Sequence, residues 1–165
     1  MRMLGIDPGT AIVGWGLVDE HQGTLQLVAY GVITTPKKQP VAQRLILVYQ
    51  GLVDLIQTHQ PDAAAVEELF FSRNVTTALA VGQARGVALL ALAQAGLPIA
   101  EYKPLAVKQA VAGYGGADKQ QVQEMVRLTL KLDARPKPDD AADALAIAIC
   151  HAYAAPMARR IAEQA

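Results

Sequence analysis

The chain has 165 residues, 52% of them hydrophobic and 18% charged. That suits one domain with an aliphatic core and excludes a disordered chain. Lys plus Arg and Asp plus Glu both number 15, so net charge names no partner and only a local basic patch would matter.

The order of elements starts with a short apolar strand, residues 2–6, that runs into Asp7 and the Pro-Gly turn of "MRMLGIDPGT". "AIVGWGLVDE" alternates as a second strand, "HQGT" turns, and "LQLVAYGVITT" is a third, which predicts an antiparallel meander. After the loop "PKKQPVAQ", Leu45, Val48, Tyr49, Leu52, Leu55 and Ile56 recur at helical spacing, with the helix running to about His59. "PDAAAVEELFF" reads as a buried strand, "NVTTALAVGQARGVALLALAQAG" as a helix ending at Gly96, and "LPIAEY" as a short strand. "KPLAVKQAVAGYGG" is a short helix with a Gly-rich end, "ADKQQVQEMVRLTLKL" an amphipathic helix, and "PDDAADALAIAICHAYAA" a final helix. The predicted fold is an α/β sandwich, a mixed sheet with helices on its faces. Residues 1–155 form one domain, and 156–165 a short C-terminal tail.

A lone Cys150 excludes an internal disulfide and a cysteine zinc site. No long apolar stretch precedes Asp7, so no signal peptide is expected. Val75 to Ala100 comes closest to a membrane span, but Arg85, two Gln and three Gly interrupt it. No membrane and a reduced cytoplasmic setting are the default expectation. Because Arg85 is the one charged side chain in that stretch, its helix should be covered on more than one side. A twin helix in a homodimer would cover the second side; burial beneath the C-terminal helices is the alternative.

Acidic residues recur at element ends. Asp7 closes the first strand, Glu67 and Glu68 close the fourth, and Asp139, Asp140 and Asp143 open the last helix. Adjacent strand residues face opposite sides, so only one of Glu67 and Glu68 can join Asp7. Both Asp139 and Asp140 share a helix face with Asp143, so spacing does not choose between them. Singly, each has a plain structural explanation: an Asx-type turn, an exposed strand end, a helix cap. Convergence of three acid-ended elements would demand divalent cations. Oxygen-only ligands indicate Mg²⁺ or Mn²⁺, and two ions about 3.5–4 Å apart can drive phosphoryl displacement by water.

"LGIDPGTAIVGWG", "AVEELFFSRNVTTALAVGQARG", "VKQAVAGYGGADKQQVQEMV" and "DDAADALAIAICHA", in that order, resemble the RuvC family of bacterial Holliday-junction resolvases, over about residues 2–153. The resemblance implies a ribonuclease-H-like fold with a mixed five-stranded sheet and helices on both faces. It implies a homodimer that nicks a four-way DNA junction symmetrically in recombination and repair. Mg²⁺, two ions per subunit with Mn²⁺ as substitute, and a RuvA–RuvB branch-migration partner are implied with it. By motif it selects Asp7, Glu67, Asp140 and Asp143 as catalytic metal ligands, Glu67 over Glu68 and Asp140 over Asp139. It marks Lys108 and Lys119 near the scissile phosphate, Phe70 beside the junction's bases, and Arg73 and Asn74 in a DNA-facing loop. Core packing is the alternative for Phe70 or Phe71. Gly113, Gly115 and Gly116 serve either a helix C-cap or a close approach of DNA. His151 falls two turns beyond Asp143 and suits packing. From Glu101 to Lys137 there are seven basic and four acidic residues. Without the four proposed ligands the chain counts 11 acidic against 15 basic residues, so metal loading would favour DNA.

Sugar kinases and actin-like ATPases share the fold and a comparable turn, which "DPGT" fits loosely. They need two such domains, and 165 residues do not hold both. A non-catalytic junction binder would lack at least one ligand, and all four are present.

Overall fold

The computed structural model describes the backbone of residues 1–68 and 75–163, and side chains of 1–68 and 76–155. The meander is β1 (Arg2–Asp7), β2 (Ile12–His21) and β3 (Thr24–Thr34). Helix α1 (Val41–His59) leads to β4 (Ala63–Glu67), and α2 (Val75–Gln94) to β5 (Ile99–Tyr102). Then follow α3 (Pro104–Ala112), α4 (Lys119–Thr129) and α5 (Asp139–Glu163). Helix α5 continues past residue 155, where sequence reading placed the start of a tail. The sheet order is β3-β2-β1-β4-β5, antiparallel through β1 and parallel from β1 to β5. This is a mixed five-stranded sheet with helices on both faces.

Alternation along the strands divides the core. Leu4 and Ile6 of β1, Val13 and Leu17 of β2, and Ala64 and Val66 of β4 pack with α1 and α2. Met3, Val18 and Ala65 point the other way, against α3, α4 and α5. Buried Val48, Leu52, Leu55 and Ile56 place one face of α1 on the sheet, and Gln60 in the left-handed region (φ 48°) ends the helix. Asp118 and Gln121 form a reciprocal capping box that starts α4. Gly113 ends α3 in the left-handed region (φ 84°), a conformation a side chain would oppose.

Helix α2 packs against α1 on the face opposite α3–α5, so burial beneath the C-terminal helices is excluded. Over Thr76–Gln94 it is long and apolar enough to cross a membrane, contrary to the sequence expectation, and only 28% of that stretch is buried. Two interactions tie it to the sheet: Arg85 Nε donates to the Glu67 carbonyl at 3.1 Å, and Arg85 pairs with Glu101. Ala78, Ala84, Ala88, Ala91 and Leu92 face inward. Leu79 (64% exposed) and Leu90 (52%) lie with Gln83 and Gly86 on an outward stripe at helical spacing.

Candidate active site

The site is built at the C-terminal ends of β1 and β4. These strands are parallel neighbours, with Gly5 opposite Ala65 and Ile6 opposite Val66. One residue further, Asp7 and Glu67 lie side by side. Alternation puts Asp7 on the face of Met3 and Gly5, and Glu67 on the face of Ala65; both look toward α5. Glu68 follows on the other face, and its N–H donates to the Tyr102 carbonyl at 2.8 Å.

Glycines bring α5 down onto these strands. A Cβ on Gly14 would stand 2.0 Å from the Asp140 carbonyl oxygen, and one on Gly5 2.1 Å from that of Ala144. On Gly16 it would meet Leu145 at 2.7 Å. Gly14 is paired with Asp7 across the β1–β2 ladder, so the first turn of α5 rests beside Asp7. Sequence reading passed over these three glycines. Their signal was available, because Gly inside a strand marks a close backbone approach.

The first turn of α5 separates its acids. Asp139 is exposed and accepts from Gln123 Nε2 at 3.1 Å. Lys119 Nζ stands 2.9 Å from Asp143 Oδ2 and 3.4 Å from Asp139 Oδ2. Asp140 is half-buried and turns to the segment after Asp7. Lys108 is half-buried near enough to Glu67 to favour its charge. Further along α5, the Tyr102 hydroxyl lies 2.9 Å from His151 Nδ1. Phe70, Phe71, Arg73 and Asn74 lie outside the described residues.

Electrostatics records the convergence. Burial first, then the charges of Glu67, Asp143 and Asp140, push the Asp7 carboxyl up to about 7, against the pull of Lys119. Burial and Asp143 raise Glu67, opposed by Lys108 and Lys119. Burial also raises Asp143, opposed by its hydrogen bond from Lys119. The exposed Asp139 is held low, by Gln123 and then Lys119. Partial burial opposes the charge on Lys119, but Asp143 and Asp139 outweigh it and raise its pKa.

A hard divalent cation fits this donor set by chemistry: oxygen donors only, mutually repelling and partly buried. Among the described residues, no three His, Cys, Asp or Glu side chains are gathered as a finished cage. Lys119 holds Asp143, and entry of an ion would require the carboxylates to turn toward it.

The Asp7 shift carries a prediction. A carboxyl raised on folding binds more protons in the native state between about pH 4 and pH 7. In chelator, stability should therefore fall as pH rises through that window and level off above it, by at most about 4 kcal/mol from Asp7. Asp7→Asn should flatten the fall, and Mg²⁺ should raise the melting temperature more at pH 8 than at pH 5. Calorimetry checks both; an unchanged slope in Asp7→Asn refutes the assignment.

The sheet order and the helices on both faces define a fold of the ribonuclease-H-like class. The family profile described as crossover junction endodeoxyribonuclease RuvC matches residues 3–151. Crossover junction endodeoxyribonuclease RuvC of Chloroflexus aggregans is 69% identical over 160 residues, covering 97% of this chain and 98% of the relative. That of Moorella thermoacetica is 57% identical over 165 residues, covering 100% and 99%. The structure of T. thermophilus RuvC in complex with a Holliday junction substrate superposes with a TM-score of 0.90 at 40% identity, covering 96% of each chain. The chain belongs to the RuvC family. It is an endodeoxyribonuclease that resolves four-way junctions in recombination and repair, and the family is metal-dependent.

Proposed function

We propose that Asp7, Glu67, Asp140 and Asp143 hold Mg²⁺, two ions per subunit with Mn²⁺ able to substitute, and that a homodimer makes paired symmetric nicks in a four-way DNA junction. One observation carries the metal assignment: Asp7 and Glu67 end adjacent parallel strands on the face that the first turn of α5 covers. Bound Mg²⁺ supplies Lewis-acid polarisation of the scissile phosphoryl group and a water of lowered pKa. The protein supplies position. Strand ends fix Asp7 and Glu67, and the glycine-bedded helix brings Asp140 and Asp143 to them. Lys119, already at 2.9 Å from Asp143, and Lys108, near Glu67, offer positive charge to the phosphate as negative charge develops there. Phe70, Arg73 and Asn74 would meet the junction from the segment after Glu67.

The dimer rests on the outward stripe of α2. Exposed Leu79 and Leu90 with Gly86 between them suit a twin helix packed closely on the same face. Family membership favours the same assembly. A RuvA–RuvB complex is the expected partner, and the cytoplasm, where the DNA is, the expected setting. Residues 1–155 form the nuclease unit, and those beyond contribute no proposed ligand.

The test is a labelled, mobile four-way junction with Mg²⁺ and no ATP. Paired nicks at symmetric positions in strands of like polarity are expected. No product with either Mg²⁺ or Mn²⁺ would overturn the reading. Leu90→Lys should yield monomers by light scattering and uncouple the two nicks; an intact dimer in that variant would sink the α2 interface.

A further inference from the structure

Beside the carboxylates runs a groove of about 460 Å³ that the chemistry above does not use. Asp140 is one of its lining residues. Thr10 of the turn after Asp7, Ile12 at the start of β2, Arg44 of α1, and Thr76 and Val81 of α2 line it as well. Three hydrogen bonds brace this lining. Arg44 Nε donates to Thr35 Oγ1 at 2.9 Å, Thr35 Oγ1 to the Thr10 carbonyl at 2.7 Å, and Thr10 Oγ1 to the Ala80 carbonyl at 2.6 Å. They lock the inner edge of the guanidinium and tie α1, the post-Asp7 turn and α2 together. Arg44 forms no ion pair among the described residues. A guanidinium fixed at Nε, with its outer nitrogens directed at no carboxylate, suits a phosphate. The apolar side chain of Ile12, 37% exposed, suits a sugar or base.

We propose that this groove is a nucleotide subsite for the cleaved strand, in which Arg44 holds a backbone phosphate one or two positions from the scissile one. The inference rests on the junction-resolving reading, since Asp140 lines the groove. It makes Arg44 a residue that positions the strand over the carboxylates.

The experiment uses the full chain and junctions carrying single neutral methylphosphonates across the cleavage point, with Ca²⁺ replacing Mg²⁺ to keep them uncut. Arg44→Ala should weaken junction binding about tenfold at 0.1 M salt and lower the log–log salt slope by about 1. Arg44→Gln, which keeps a donor for Thr35, should bind as weakly as Arg44→Ala while melting near wild type. One methylphosphonate position near the cleavage point should weaken the wild type by a similar factor and cost Arg44→Ala nothing more. A purely structural role for Arg44 would give independent, multiplicative losses at every position, and that result overturns the proposal. Failure of the wild type to bind any junction would instead overturn the reading on which the proposal rests.

Discussion

Asp143→Asn should lower junction cleavage by roughly a thousandfold or more, about 4 kcal/mol of transition-state stabilisation, while junction binding persists or tightens. The amide keeps the size of the side chain and removes one anionic donor. Lys119 would retain Asp139 as a partner at 3.4 Å, so the fold around α4 and α5 should survive. Were Asp143 only a decoration of the first helical turn, the change would cost about 1 kcal/mol or less of stability and leave cleavage nearly intact. Asp7→Asn, Glu67→Gln and Asp140→Asn should behave as Asp143→Asn does. Their neighbours are the controls. Glu68 lies on the opposite face of its strand, and Asp139 is exposed and held by Gln123 and Lys119. Glu68→Gln and Asp139→Asn should therefore stay within about threefold of wild type, since surface changes away from special contacts are mild. Single-turnover cleavage and junction binding, measured on all six variants, decide the matter. An inactive Glu68→Gln or Asp139→Asn would break the residue assignment and leave the enzyme class standing.

The meander is readable in the sequence because β2 alternates and the turns on either side of it carry Pro and Gly. β4 was harder. "AAAV" is buried throughout, so composition carries no face, and the choice between Glu67 and Glu68 needs the register with β1. The choice within Asp139 and Asp140 needs the direction from which α5 meets the sheet, which the glycines of β1 and β2 set. Arg85 reads in sequence as the lone charge on an apolar helix. Its work, holding the Glu67 carbonyl and Glu101, joins residues distant in the chain. Arg44 looks like any solvated Arg in α1 until Thr35 and Thr10 are seen beneath it. In α2 the apolar run raises the expectation of a second covered side, and the fold leaves Leu79 and Leu90 of that helix exposed. Which side stays open depends on α1 and the sheet, and only the fold supplies them.

Gly14→Ala should slow cleavage at least about a hundredfold in a protein that still folds and binds junctions. The added methyl would lie 2.0 Å from the Asp140 carbonyl oxygen and 2.4 Å from its carbonyl carbon. Those are backbone atoms, so no rotamer relieves the clash, and the start of α5 must lift. Gly14 is paired with Asp7, so the lift separates Asp140 and Asp143 from Asp7 at the point where their charges converge. Misplacement of catalytic groups by about 1 Å is enough to cost about a hundredfold. Gly5→Ala applies a similar clash further along the helix, 2.1 Å from the Ala144 carbonyl oxygen and 2.6 Å from the Ala148 amide nitrogen. There the sheet and helix are wholly buried around Met3, Leu145 and Ala148, so overpacking should appear chiefly as about 1–3 kcal/mol of lost stability. The two variants thus share a steric insult and differ in what lies above it. Denaturant melts should rank Gly5→Ala as the less stable. Single-turnover cleavage at saturating Mg²⁺ and at a temperature where both are folded should rank Gly14→Ala as the slower. Equal activity loss in the two would mean that α5 moves as a rigid rod. Full activity in Gly14→Ala would mean that the seating of Asp140 beside Asp7 does not control the chemistry.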